Sequence, residues 1–253
     1  MRILILGGTA EARRLAERLA GRSDLAVMLS LAGRTAAPAV QPVPVRIGGF
    51  GGAGGLARYL SVEGIDALID ATHPYAAVIS ANAARAAQSA GVPLLALRRP
   101  PWRPVAGDRW IEVADVPAAV AALGAAPRRV FLALGRKELA PFAQAPQHHY
   151  LVRSVDPVDP PLAVPHATYV TGRGPFTEAD DRALLREHGI EVIVAKNSGG
   201  SATYGKIAAA RTLDLAVIMP SRPPLPAVHT VETVEDALAW LDHGCAPRAD
   251  RGV

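Results

Sequence analysis

Short apolar runs alternate along the chain with stretches in which apolar positions recur every three or four residues. Residues 2–6 form a Leu- and Ile-rich run that ends in Gly7-Gly8-Thr9, and in the segment that follows Ala12, Leu15, Ala16 and Leu19 keep helical spacing. This predicts a strand, a tight turn and a helix. The pattern continues with strands at 25–31, closed by Gly33, and at 43–47, then a helix at 56–62 after the glycine cluster 48–55. A strand at 67–70, a helix of strong helix formers at 76–90 and a strand at 93–97 complete the series. Strands and helices that alternate in this way predict a doubly wound parallel sheet.

Arg98-Arg99-Pro100-Pro101 stops that series, because a proline pair continues neither a central strand nor a helix interior. A second alternation follows, with strands at 130–134, 150–153, 167–170, 192–195 and 215–219 and helices at 178–187, 203–213 and 234–241. Thr177 with Asp180 three residues on has the form of an N-cap and its box partner. The chain is therefore read as α/β, with two Rossmann-like parallel-sheet halves and an active site in the cleft between them. The expected domains are 1–100, binding a nucleotide, and 101–244, binding substrate, with a frayed tail at 245–253. Residues 70–100 and 195–223 share a plan of strand end, polar loop, Ala-rich helix, apolar strand and Arg-Pro, as two related halves would.

Half of the 253 residues are hydrophobic, enough for packed domains, so disorder is not expected. Cys245 is the one cysteine, which excludes an intrachain disulfide and a cysteine-rich metal site and fits a reducing cytoplasm. The first apolar run is too short for a signal-peptide core, and no apolar run is long enough to cross a bilayer, so a soluble protein is expected. The net charge of +4 comes from arginines scattered singly at the ends of apolar runs, and aromatics make up only 5% of residues. That is neither a phosphate-tracking stripe nor a base-stacking platform, so an anionic small molecule is expected and nucleic acid is not.

Gly7, Gly8 and Thr9, with Glu11 and Ala12 beyond, lie where backbone amides and a helix dipole receive a pyrophosphate, although the third glycine of G-x-G-x-x-G is missing. A tight turn without a ligand is the plain alternative. After the second strand, where a carboxylate would hold the ribose hydroxyls of NAD, the sequence has Gly33, Arg34 and Thr35. An arginine there suits a 2′-phosphate and favours NADPH. Gly-Arg recurs after strands as Gly33-Arg34, Gly135-Arg136 and Gly172-Arg173, and with Lys137 and Lys196 these cations make a rim suited to several carboxylates. Thr72, His73 and Tyr75 follow the strand at 67–70, and Lys196-Asn197-Ser198-Gly199-Gly200 follows its counterpart at 192–195. His73 and Tyr75 are candidates to hold the nicotinamide ribose or donate a proton, and Lys196 and Ser198 to act on a conjugated system. Helix capping is the plain alternative for His73 and Ser198. His148 and His149 are adjacent and point apart in a strand, so no metal site is expected.

These segments, together with Arg99-Pro100-Pro101-Trp102, Gly172-Arg173-Gly174-Pro175-Phe176, Lys206 and Arg222-Pro223, resemble the precorrin-6A reductase family in order and spacing over nearly the whole chain. The resemblance implies NADPH-dependent reduction of one carbon–carbon double bond of precorrin-6A, giving precorrin-6B in cobalamin biosynthesis. It also implies contacts from Arg99, Arg136, Lys137, Arg173, Asn197, Gly199, Gly200 and Lys206 to the tetrapyrrole, and leaves room for transient handover with neighbouring pathway enzymes. A cobalt-containing substrate and a non-catalytic nucleotide-binding protein stay open, with Arg34 favouring the metal-free branch. A short-chain-type dehydrogenase is weakened because no tyrosine has a lysine four residues on.

Overall fold

The computed structural model describes residues 1–33 and 39–243, and divides the chain into two compact units. One comprises Met1–Pro100 together with the chain from Pro223 onward, and the other is Pro101–Arg222.

In the first unit, strands β1 (Arg2–Leu6), β2 (Ala26–Leu31), β3 (Val45–Ile47), β4 (Ala67–Asp70) and β5 (Leu94–Leu97) alternate with helices α1 (Ala10–Leu19), α2 (Ala53–Val62) and α3 (Ala77–Ala90). Strand β1 is apolar throughout its buried length because both faces of the sheet are covered. Ile3 and Ile5 pack with Leu15 and Leu19 of α1, whereas Leu4 and Leu6 pack with Leu56, Leu60 and Ala83 of α2 and α3. The glycine-rich stretch before α2 is ordered by Arg46. Its guanidinium donates to the carbonyls of Gly48 and Gly49 and lies 3.8 Å over the Phe50 ring.

The second unit is built from β6 (Arg109–Val113), α4 (Val116–Ala122), β7 (Arg129–Ala133), β8 (His149–Ser154), β9 (Ala167–Thr171), α5 (Glu178–Glu187), β10 (Val192–Ala195), α6 (Gly205–Thr212) and β11 (Ala216–Pro220). Two short 3₁₀ turns, Arg136–Glu138 and Ala140–Gln144, stand between β7 and β8 where the first unit has α1. Thr177 caps α5 as its sequence predicts, accepting from the Asp180 amide at 3.1 Å.

The chain then returns to the first unit, and here the expected second domain, running to 244, needs correction. β12 (Thr230–Val231) pairs with β5, and α7 (Val234–His243) packs Val234, Ala237 and Leu241 into the core that holds α1. The first sheet thus has the order β3-β2-β1-β4-β5-β12 and the second β9-β8-β7-β10-β11-β6, and every pair is parallel. Each unit repeats the same winding, and each has one place where the strand order reverses: between β1 and β4, and between β7 and β10. The two chain crossings fall in Arg99-Pro100-Pro101 and Arg222-Pro223-Pro224, which follow β5 and β11 in the same way.

Candidate functional site

Ligands of open α/β sheets bind beyond the carboxyl ends of the strands, where the strand order reverses. In the first unit those ends carry Gly7-Gly8-Thr9 and Thr72-His73-Pro74-Tyr75, so the topology brings together two segments more than sixty residues apart in sequence. Thr9 joins them. Its hydroxyl accepts from the Ala12 amide at 3.1 Å as the N-cap of α1 and donates to the Ala71 carbonyl at 2.8 Å. The two glycines differ in how strongly the turn needs them. A Cβ on Gly7 would stand 2.6 Å from Leu29 Cδ1, and Gly8 has φ of +114°, a region L side chains avoid. With Ala12 N–H taken by Thr9, the amides of Ala10 and Glu11 have no acceptor within the helix.

Glu11 sits in that first turn with its side chain only 12% exposed, and it pairs with Arg99 at 2.6 Å and Arg14 at 3.3 Å. The two guanidinium groups balance the charge of this carboxylate. Asp70, buried at the end of β4, accepts from the Thr72 hydroxyl at 2.6 Å and the Thr72 amide at 3.2 Å, which fixes the start of the second loop. His73 Nδ1 accepts the Tyr75 amide at 3.2 Å, and this bond assigns the ring proton to Nε2. The two rings lie 5.7 Å apart. Gly33, two residues past β2, has φ of +68°, while Arg34 and Thr35 lie outside the described residues.

In the second unit the reversal point carries Gly135-Arg136-Lys137-Glu138 after β7 and Lys196-Asn197-Ser198-Gly199-Gly200 after β10. Glu138 ties the two together: it accepts the Gly135 amide at 2.9 Å and forms an ion pair with Lys196. Arg136 donates to the Pro157 carbonyl at 3.2 Å and Lys137 is exposed. Arg173, after β9, belongs to the same sheet edge. Its loop is held by Arg153 at the end of β8, which pairs with buried Asp181 and stacks 3.8 Å from Phe176.

Not every predicted substrate contact faces outward. Arg99 lies in the first unit and is engaged with Glu11. Lys206 is 4% exposed, donates to the Thr203 carbonyl at 2.6 Å and lies 5.1 Å from the Trp102 ring. Asn197 spends both ends of its amide on the Trp102 backbone. Glu138, Arg153 and Asp181 were not singled out by sequence. The signal available for Glu138 was an acid within an otherwise basic Gly-Arg-Lys loop.

A cavity of about 290 Å³ occurs elsewhere, at the amino ends of β7, β8 and β9, against Arg129, His188 and the stacked rings of His149 and His166. It is at the sheet edge away from all of these loops. Among the described residues no group of three or more His, Cys, Asp or Glu side chains is arranged to hold a metal ion, and no helix is long and apolar enough to cross a membrane.

Residues 2–242 match the family model described as Precorrin-6x reductase CbiJ/CobK. The chain is 59% identical to a precorrin-6A reductase of a Sinorhizobium species, covering 97% of this chain and 94% of that one. A solved structure described as CobK precorrin-6A reductase superposes with a TM-score of 0.93 at 53% identity, covering 98% of this chain and 99% of that one. A cobalt-precorrin-6A reductase of Priestia megaterium is 28% identical over 94% of this chain and 97% of its own.

Proposed function

Because the chain belongs to the precorrin-6x reductase family, we propose that it reduces precorrin-6A to precorrin-6B in cobalamin biosynthesis, with NADPH as the hydride donor. The observation that carries the reading is a likeness to precorrin-6A reductases that runs through both units and takes in both reversal-point loops. The higher identity to a relative named for the metal-free substrate than to one named for the cobalt form supports precorrin-6A itself.

The first unit fits a dinucleotide. Gly7 packs close against the Leu29 side chain, Gly8 holds a left-handed turn, and the first α1 amides suit a pyrophosphate. When bound, the nicotinamide supplies hydride to one carbon of the double bond. Arg34 is the sequence candidate for the 2′-phosphate, with Gly33 and Thr35 beside it. Thr72 and His73 flank the ribose in this reading, and the Tyr75 phenol, or His73 when its ring carries a second proton, gives the proton to the carbon that does not take hydride. In the second unit Lys196, Arg136, Lys137 and Arg173, with the backbone of Gly199 and Gly200, hold the acetate and propionate groups. Ser198 lies next to Lys196 and serves the ring itself. The protein contributes position and charge, not covalent chemistry.

The test is anaerobic incubation of the purified chain with NADPH and precorrin-6A. Loss of the nicotinamide absorbance that depends on the macrocycle, with a product carrying two more hydrogens, is expected. Nucleotide binding without such oxidation would mark a non-catalytic nucleotide-binding protein instead.

A further inference from the structure

Asn197 stands in the middle of the Lys196–Gly200 loop, and its contacts have an unusual pattern. Its side-chain Oδ1 accepts the Trp102 amide at 2.8 Å and its Nδ2 donates to the Trp102 carbonyl at 2.9 Å. An asparagine amide has one donor side and one acceptor side, so it closes a two-bond ring on the backbone of a single residue as a neighbouring strand would. Its own carbonyl accepts from Arg222 Nε at 2.9 Å. The same loop is held again at its far end, where the Trp102 indole N–H donates to the Gly200 carbonyl at 2.7 Å. Trp102 is the second residue after the chain enters the second unit, and Arg222 is the last before it leaves. One loop is thereby fastened to both entry and exit of the unit, through bonds that span 95 and 25 residues of sequence.

We infer that Asn197 is a positioning residue for the reaction: its amide grips the Trp102 backbone and so sets the place of Lys196 and Ser198, instead of holding a carboxylate of the macrocycle. The inference rests on the functional reading above, since it concerns that same loop. The geometry favours it because the two bonds to Trp102 fix the plane and direction of the amide, and turning it toward a substrate would break both. A neutral side chain is also what the grip requires. Aspartate would keep the acceptor for the Trp102 amide but set a carboxylate oxygen against the Trp102 carbonyl.

The experiment compares the native chain with Asn197→Ala, Asn197→Asp and Trp102→Phe, each first checked by thermal melting. Three quantities are read: kcat and KM for precorrin-6A with saturating NADPH, the ionic-strength dependence of that KM, and amide hydrogen exchange of the 196–204 segment. A positioning role predicts that kcat falls by roughly tenfold to a hundredfold, the scale of a displacement of about 1 Å. KM and its salt dependence stay native, and exchange of the segment accelerates. Asn197→Asp should be no better than Asn197→Ala. Trp102→Phe, which keeps the backbone ring and an aromatic side chain beside Lys206 and Tyr204 but loses the Gly200 bond, should show a milder form of the same signature, and it carries the test alone should the Asn197 variants fail to fold. The inference is overturned if kcat stays native, if segment exchange is unchanged, or if the loss falls on KM together with its salt dependence, which would make Asn197 a direct contact. Absence of turnover in the native chain would instead count against the functional reading.

Discussion

At the residue scale, charge is arranged in matched pairs beside both candidate loops: Glu11 with Arg99 in one unit, Glu138 with Lys196 in the other. Arg34 is the cation proposed for the 2′-phosphate of the cofactor. Arg34→Ala should weaken NADPH binding by about 1.5 to 3 kcal/mol, or roughly ten- to a hundredfold, and leave NADH binding unchanged, as titration of both cofactors would show. Equal losses would remove Arg34 as the reader of the 2′-phosphate. A second residue sets a pH response away from the loops. His148 is fully buried just before β8, and burial lowers its pKa from the ordinary 6.5. The native ring stays neutral while the unfolded chain takes up a proton, so stability holds above pH 6.5 and declines as pH falls below it toward the lowered folded value. The melting temperature should therefore fall between about pH 7 and pH 5, and His148→Gln should flatten that fall; equal slopes would assign it to other groups. The loop residues could be found from sequence because each follows an apolar run directly. Their partners could not, since Asn197 and Trp102 or Arg99 and Glu11 meet only through the fold, and Lys206 reads as a surface cation until its helix is seen to turn it inward.

At the scale of elements, Thr9 fastens the β1–α1 junction to the end of β4. Thr9→Ala removes both the N-cap bond and the bond to Ala71. It should cost about 1 kcal/mol of stability from the cap and weaken NADPH binding, with Thr9→Ser restoring both in calorimetry and titration. Native NADPH affinity in the alanine variant would detach the cap from the binding site. The central strands were legible as short continuous apolar runs, and α1 by apolar positions at helical spacing. Strand β6 was missed: Arg109 to Val113 is a half-exposed edge strand with little apolar signal. Helix α4 is short and carries Pro117 in its first turn, and the β7–β8 connection forms 3₁₀ turns where the repeat of the first unit would put a long helix. Strand β12 has only two residues, too few for any period to show.

At the scale of the whole molecule, the chain builds one unit, then the other, and returns to finish the first. The placement of β12 and α7 could not be read locally, because α7 is amphipathic and its apolar face does not say which sheet it covers. A chain ending at Arg222 would lose the edge strand beside β5 and the helix that brings Val234, Ala237 and Leu241 to the α1 core. Such a fragment should melt at a lower temperature, with its NADPH binding impaired; native melting and binding would show that the returning segment is dispensable. The proposed function divides the labour between the units, with the dinucleotide at the β1/β4 reversal and the macrocycle at the β7/β10 reversal. Its most direct test is the dissociation constant of each ligand, measured separately by fluorescence or calorimetry, for Gly8→Val and Lys196→Ala. Gly8→Val, which places a branched side chain at φ of +114°, should lose NADPH and keep precorrin-6A, while Lys196→Ala should keep NADPH and bind the macrocycle more weakly. Loss of NADPH binding in a folded Lys196→Ala would contradict the account.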